Sequence, residues 1–226
     1  MDIRPLAEET LFAKGFALLP QERKERIRRY RSPVDRQRSL GAGLLLEYGL
    51  EQYGISLLAD VAGCVPVQTE YGIHGKPCIP AEGAPCFNLT HSGNYAAAVF
   101  AGESVGIDME SFRPVRHAMI QRCFSAEEQA YLNAHAGGDA QFTRLWTRKE
   151  AYVKAVGDGI HLPLTDFSVL EDQTEAYRLC TFHEGVPGLP ERYVLSVCAA
   201  EPIATEISLM EAEHLIEGIS RNRHPI

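Results

Sequence analysis

The sequence predicts an α+β fold of two similar halves, each a set of helices followed by a small sheet, joining near Glu103. Apolar residues recur at helical spacing in residues 35–50 and again in 140–157. Apolar or alternating runs of strand length follow each helical stretch. On this division, residues 1–103 form an N-terminal subdomain and 104–226 a C-terminal one, and 226 residues can bury a core in each. No apolar run approaches the ~20 residues of a membrane span. The start, MDIRPLAEETLF, lacks the basic-then-apolar order of a signal peptide. The six cysteines include no C-x-x-C pair. A cytoplasmic protein with reduced thiols is therefore expected, with neither a zinc site nor a disulfide framework.

Residues Gln21 to Tyr30 and Asp35 to Leu50 read as helices separated by Ser32-Pro33, with Pro33 suited to open the second. That second helix carries Leu40, Leu44, Leu45 and Tyr48 around the small residues Gly41, Ala42 and Gly43. A Gly- and Pro-dense loop follows, YGIHGKPCIPAEGAPCFNLTHSG, and then NYAAAVFAGESVGID, two apolar runs around a short turn that predict a hairpin. In HAMIQRCFSAEEQAYLNAH a helix starts at Ser125, with Glu128 three residues on as in a capping box. AQFTRLWTRKEAYVKAVG is a strong helix ended by Gly157. FSVL, YRLCTF and YVLSVCAA read as strands, and the tail HLIEGISRNRHPI fades to polar.

Net charge of −8 argues against general nucleic-acid binding. Yet eight of the 22 basic residues lie between Arg23 and Arg38 against two acidic ones, a local charge of +6. Such a patch on an acidic chain suits a small polyanion, or is a solvated arginine-rich helix face. In GIDME, strand alternation points Asp108 and Glu110 to one side while Met109 points away. Two adjacent carboxylates repel unless something positive lies between them, and a hard divalent cation would serve. The alternative is a pair of solvated turn residues. In WTRKEAYVKAVG, Trp146, Lys149, Glu150, Val153 and Lys154 recur at spacings of three and four. Glu150 and Lys154 taken alone could be an i, i+4 surface pair.

Four motifs in order give these fragments a common meaning: GKP at 75–77, FNLTHS at 87–92, GIDME at 106–110 and WTRKEAYVKAVGDGI at 146–160. Together they resemble the Sfp-type 4′-phosphopantetheinyl transferases, over most of the chain from the arginine-rich helix to the last strand. Thr90 stands where that family often has serine, and residues after about Glu201 carry no resemblance. The resemblance implies two α+β halves related by a pseudo-twofold, with coenzyme A in the cleft between them. It implies that Arg23 and Arg26 meet the 3′-phosphate side of the nucleotide, with Arg38 and Ser39 nearby. Lys76, Thr90 and His91 would reach other phosphates or the adenosine. Asp108, Glu110 and Glu150 would hold Mg²⁺, flanked by Lys149 and Lys154. Three carboxylates from two elements do form a hard oxygen site of the kind Mg²⁺ prefers.

The implied reaction is attack by a serine hydroxyl of an apo acyl or peptidyl carrier protein on the β-phosphate of coenzyme A, releasing 3′,5′-ADP. Glu150 would act as the base and Lys154 would stabilise the departing charge. The nucleophile belongs to the partner. A monomer is expected, with no nucleic acid and no membrane as partner, and residues 117–125 are candidates for carrier docking unless Met119, Ile120 and Phe124 are core. The alternatives are a metal-dependent phosphohydrolase, which shares the acids and metal but has water attack, and a nucleotide-binding regulator that keeps the cleft without the chemistry.

Overall fold

A computed structural model describes residues 1–223 apart from 60, 116, 136, 137, 175 and 184. In chain order it contains α1 (Glu9–Ala17), α2 (Gln21–Arg29), α3 (Pro33–Glu51), β1 (Ile55–Ser56), β2 (Val65–Pro66), β3 (Glu70–Tyr71) and β4 (Pro77–Cys78). Then come β5 (Cys86–Ser92), β6 (Tyr95–Ala101), β7 (Val105–Ser111), α4 (His117–Cys123), α5 (Ala126–Ala134), α6 (Asp139–Val156), β8 (Arg178–Phe182), β9 (Tyr193–Ala199) and α7 (Ala212–Arg223). The fold is α+β, small sheets packed with helices. The chain divides into two compact units, one made of Met1–Glu70, Pro77–Phe100 and Leu209–Ile226, the other of Tyr71–Lys76 and Ala101–Ser208.

In the first unit, Ser32 caps α3 by accepting from the Asp35 backbone N–H, with Pro33 in the first turn where its missing N–H costs nothing. Glu8 caps α1 through its carboxylate on the Thr10 and Leu11 N–H groups. The core gathers Ile3, Leu6, Leu19, Ile27, Leu40 and Leu44 with Ala212, Leu215, Ile216 and Ile219 of α7. The sequence reading of the tail as a fading polar end of the second half is thus corrected. Residues 212, 215, 216 and 219 form a helical stripe that buries against α1 and α3. The final three residues of that tail lie outside the described residues.

The second unit is a three-stranded antiparallel sheet in the order β7-β9-β8, with α6 across it. Two expectations change here. β6 hydrogen-bonds to β5 and β7 to β9, so the predicted hairpin over residues 94–108 is instead a crossing from one sheet to another. FSVL is not a strand, because its backbone groups are taken by buried side chains. The Val169 N–H goes to the Glu128 carboxylate and the Val169 carbonyl accepts from Arg148 Nε.

Candidate functional site

The local architecture of the site starts at Gly106. A Cβ there would lie 2.1 Å from the Ala151 carbonyl oxygen and 2.4 Å from the Ala155 nitrogen, so only glycine lets β7 run this close beneath α6. Asp108 and Glu110 share the face of Gly106 by strand alternation, and α6 is the element that meets it. Along α6, Thr147, Ala151, Lys154 and Ala155 form the stripe turned to the sheet. Thr147 Oγ1 is 2.9 Å from Ser196 Oγ on β9, the residue paired with Asp108. Gly157, at φ +88°, ends the helix in the left-handed conformation.

On that face, Lys154 Nζ donates to Asp108 Oδ1 at 2.6 Å and to the Ile107 carbonyl at 3.1 Å. Glu110 Oε1 accepts from Arg113 Nη2 at 2.5 Å. Glu150, one turn before Lys154, has its pKa held above the ordinary carboxylate value. Burial contributes most, then the Asp108 charge; Lys154 opposes them and Glu110 adds to them. So Asp108, Glu110, Glu150 and Lys154 influence one another on this face.

Among the described residues no three His, Cys, Asp or Glu side chains are gathered as a group that could hold a metal ion, and Lys154 and Arg113 pair with Asp108 and Glu110. The chemistry of the donors fits a hard divalent cation, since all are carboxylate oxygens and Asp108 and Glu110 both raise the proton affinity of Glu150. Their side chains would have to turn toward one another to hold it.

Lys149 is not at this site. Its side chain has no exposure and its ammonium donates to Leu164 O at 2.5 Å, Phe167 O at 2.8 Å and Glu128 Oε2 at 2.9 Å. All three donors are used in the core, so the expectation that it flanks a diphosphate is corrected to a structural role. Trp146 lies toward the same core, against Phe124. Arg148, equally buried, is satisfied by Val169 O, Glu171 O, Asp172 and Thr181. Lys76 is also engaged, with Nζ 2.9 Å from Ala155 O at the α6 C-terminus, 3.1 Å from Val105 O and 3.4 Å from Ser104 Oγ.

In the first unit, Arg26 is exposed and Arg23 half-buried on α2, which is anchored by Ile27. Arg38 is bonded to Asp35 at 2.9 Å and to the Gly93 carbonyl at 2.8 Å. Ser39 is buried inside α3 rather than displayed beside Arg38. Thr90 and His91 are neighbours on β5, so their side chains leave opposite faces: Thr90 is buried on the side of Asn88 and Ser92, while His91 is exposed. Of the docking candidates, Ile120 and Phe124 are core and Met119 packs against them; His117, Gln121 and Arg122 are the exposed edge of α4.

Sequence reasoning missed Arg113 and the second role of Glu128. Arg113 three residues beyond Glu110 was a readable signal of a local ion pair. Glu128 caps α5 through the Ser125 N–H and also binds Lys149, which nothing in its spacing discloses.

Comparison with known proteins gives this geometry a context. The profile described as the 4′-phosphopantetheinyl transferase superfamily matches residues 104–204. The 4′-phosphopantetheinyl transferase ffp of Bacillus subtilis is 31% identical across 94% of this chain and 96% of its own length. The 4′-phosphopantetheinyl transferase Sfp of Bacillus subtilis (strain 168) is 29% identical over the same shares. The 4′-phosphopantetheinyl transferase HetI of Nostoc sp. is 34% identical over 73% of this chain and 70% of its length.

Proposed function

The chain belongs to the 4′-phosphopantetheinyl transferase superfamily, and from that premise we propose how its own residues divide the work of the transfer. As an enzyme of this family it moves the phosphopantetheine arm of coenzyme A onto a carrier protein. The observation that supports the division is the meeting of α6 with β7, where Glu150 and Lys154 face Asp108 and Glu110.

Asp108, Glu110 and Glu150 would hold Mg²⁺, which when bound supplies positive charge against the diphosphate of coenzyme A. Glu150 takes the proton from the carrier serine. A carboxylate whose proton affinity is raised by burial is a better base near neutral pH than an exposed one. Lys154, one turn along a rigid helix, supports the charge that builds on the leaving phosphate oxygens, and 3′,5′-ADP departs. Arg23, Arg26 and Arg38 supply cationic groups for the nucleotide phosphates, with exposed His91 as a further contact, while the roles of buried Ser39 and Thr90 are carried by resemblance alone. The seating of Lys76 supports an anchoring role for it at the end of α6, and its phosphate contact is carried by resemblance alone. The same reading takes the enzyme to be a cytoplasmic monomer whose partner is an apo acyl or peptidyl carrier protein.

The test is the intact mass of an apo carrier domain incubated with the enzyme, coenzyme A and Mg²⁺. Asp108→Ala should abolish the mass gain while the protein stays folded, as should excess EDTA with the wild type. Full transfer in either case removes the metal assignment. Release of product from coenzyme A with no change in carrier mass would instead point to a hydrolase.

A further inference from the structure

We propose that Arg113 is the resident counter-cation of the carboxylate cluster: it holds Glu110 until a divalent ion takes that carboxylate, and so sets how tightly the site binds metal. The inference rests on Asp108, Glu110 and Glu150 being the metal ligands and goes beyond it by naming a residue that opposes the ion.

Among the described residues, Arg113 and Lys154 are cations that pair with carboxylates of the β7–α6 face. The two cations differ in how they are held. Lys154 is committed to Asp108 and to the Ile107 carbonyl, and its side chain is 29% exposed. Arg113 reaches Glu110 from solvent: its side chain is 49% exposed while that of Glu110 is 14%. A guanidinium so placed can return to water at little cost to itself, whereas the mostly buried Glu110 carboxylate then needs an ion in its place.

The backbone around Arg113 is fixed, which confines the change to one side chain. The Arg113 N–H donates to Thr143 Oγ1 at 2.9 Å, the Phe112 N–H to Arg192 O at 2.8 Å and the Val115 N–H to Asp139 Oδ1 at 3.3 Å. Its reach also extends past Glu110, since its charge lowers the proton affinity of Glu150. One arginine therefore offsets two of the three acids that an ion would need. Binding then becomes an exchange of a guanidinium for a divalent cation, and the affinity is reduced by the strength of the pair that must break. An exposed ion pair corresponds to roughly a two- to fivefold factor in an equilibrium constant.

The experiment measures Mn²⁺ binding to the full chain by calorimetry, with no coenzyme A and no carrier, so that no catalytic readout enters. Arg113→Ala should bind Mn²⁺ roughly two- to fivefold more tightly than the wild type. Arg113→Lys should stay close to wild type. In a Glu110→Gln background the Arg113→Ala change should tighten binding less than it does in the wild type, because only its weaker effect on Glu150 remains. Thermal melts establish folding, and Arg113→Gln replaces Arg113→Ala if the latter does not fold. Unchanged or weaker Mn²⁺ binding in Arg113→Ala, or in Arg113→Gln where it replaces it, overturns the inference while leaving the metal assignment intact. Absence of Mn²⁺ binding in wild type and variants alike overturns the metal assignment itself, and this inference with it.

Discussion

Replacing Gly106 with alanine tests the link between fold and site in one methyl group. The added Cβ would lie 2.1 Å from Ala151 O, 2.4 Å from Ala155 N and 2.9 Å from the Lys154 carbonyl carbon, all backbone atoms of α6 that no rotamer change can move. To open the shortest of these to 3.0 Å, helix and strand must separate by about 0.9 Å. Overpacking of this kind costs about 1–3 kcal/mol. For a chain of this size each kcal/mol shifts the melting temperature by about 2–4 °C, so a loss of about 2–12 °C is expected. The same displacement carries Glu150 and Lys154 away from Asp108 and Glu110. A misplacement near 1 Å can cost on the order of 10²-fold in rate. Thermal melts and carrier intact-mass time courses, run well below the variant's melting temperature, should therefore show both losses together. A variant with wild-type melting temperature and wild-type transfer rate would refute the claim that this contact positions the site.

Glu128→Gln removes one partner of a wholly buried ion pair and should cost about 3–5 kcal/mol in urea unfolding, because it strands the Lys149 ammonium in the core. Lys149→Ala should likewise appear as lost stability, with no selective rise in KM for coenzyme A in the folded enzyme. Glu47 sits unexposed in α3, bonded to Ser56 Oγ and the Leu57 N–H, and burial pushes its pKa up to about 7. The folded state thus holds a proton that the unfolded state releases near 4.5, so stability falls as pH rises from about 4.5 to about 7. Urea unfolding at pH 5 and pH 7.5 should show this decline in the wild type and a flatter dependence in Glu47→Gln.

The elements with strong local signals were legible. The Ser125 capping box, the Gly157 stop and the same-face placement of Asp108 and Glu110 each follow from spacing alone. What was not legible depended on partners distant in sequence. FSVL has the composition of a strand, but its hydrogen bonds are claimed by Arg148 and Glu128, 21 and 41 residues away. Lys149 looked equivalent to Lys154 because both flank Glu150. One residue on a helix is a turn of about 100°, which sends Lys149 into the core and leaves Glu150 facing the acids. The helical stripe of α7 was present at 212, 215, 216 and 219 and was obscured by the charged residues between them.

The central claim is that the β7–α6 carboxylates perform metal-supported transfer with Glu150 as the base. Its most direct test is the single-turnover rate of Glu150→Gln, followed by carrier intact mass across a Mg²⁺ titration. The amide keeps the shape and one ligating oxygen but cannot take the serine proton. The account predicts a loss of at least about 10² in rate that persists at saturating Mg²⁺. A return to the wild-type rate at high Mg²⁺ would contradict it, leaving Glu150 a ligand only.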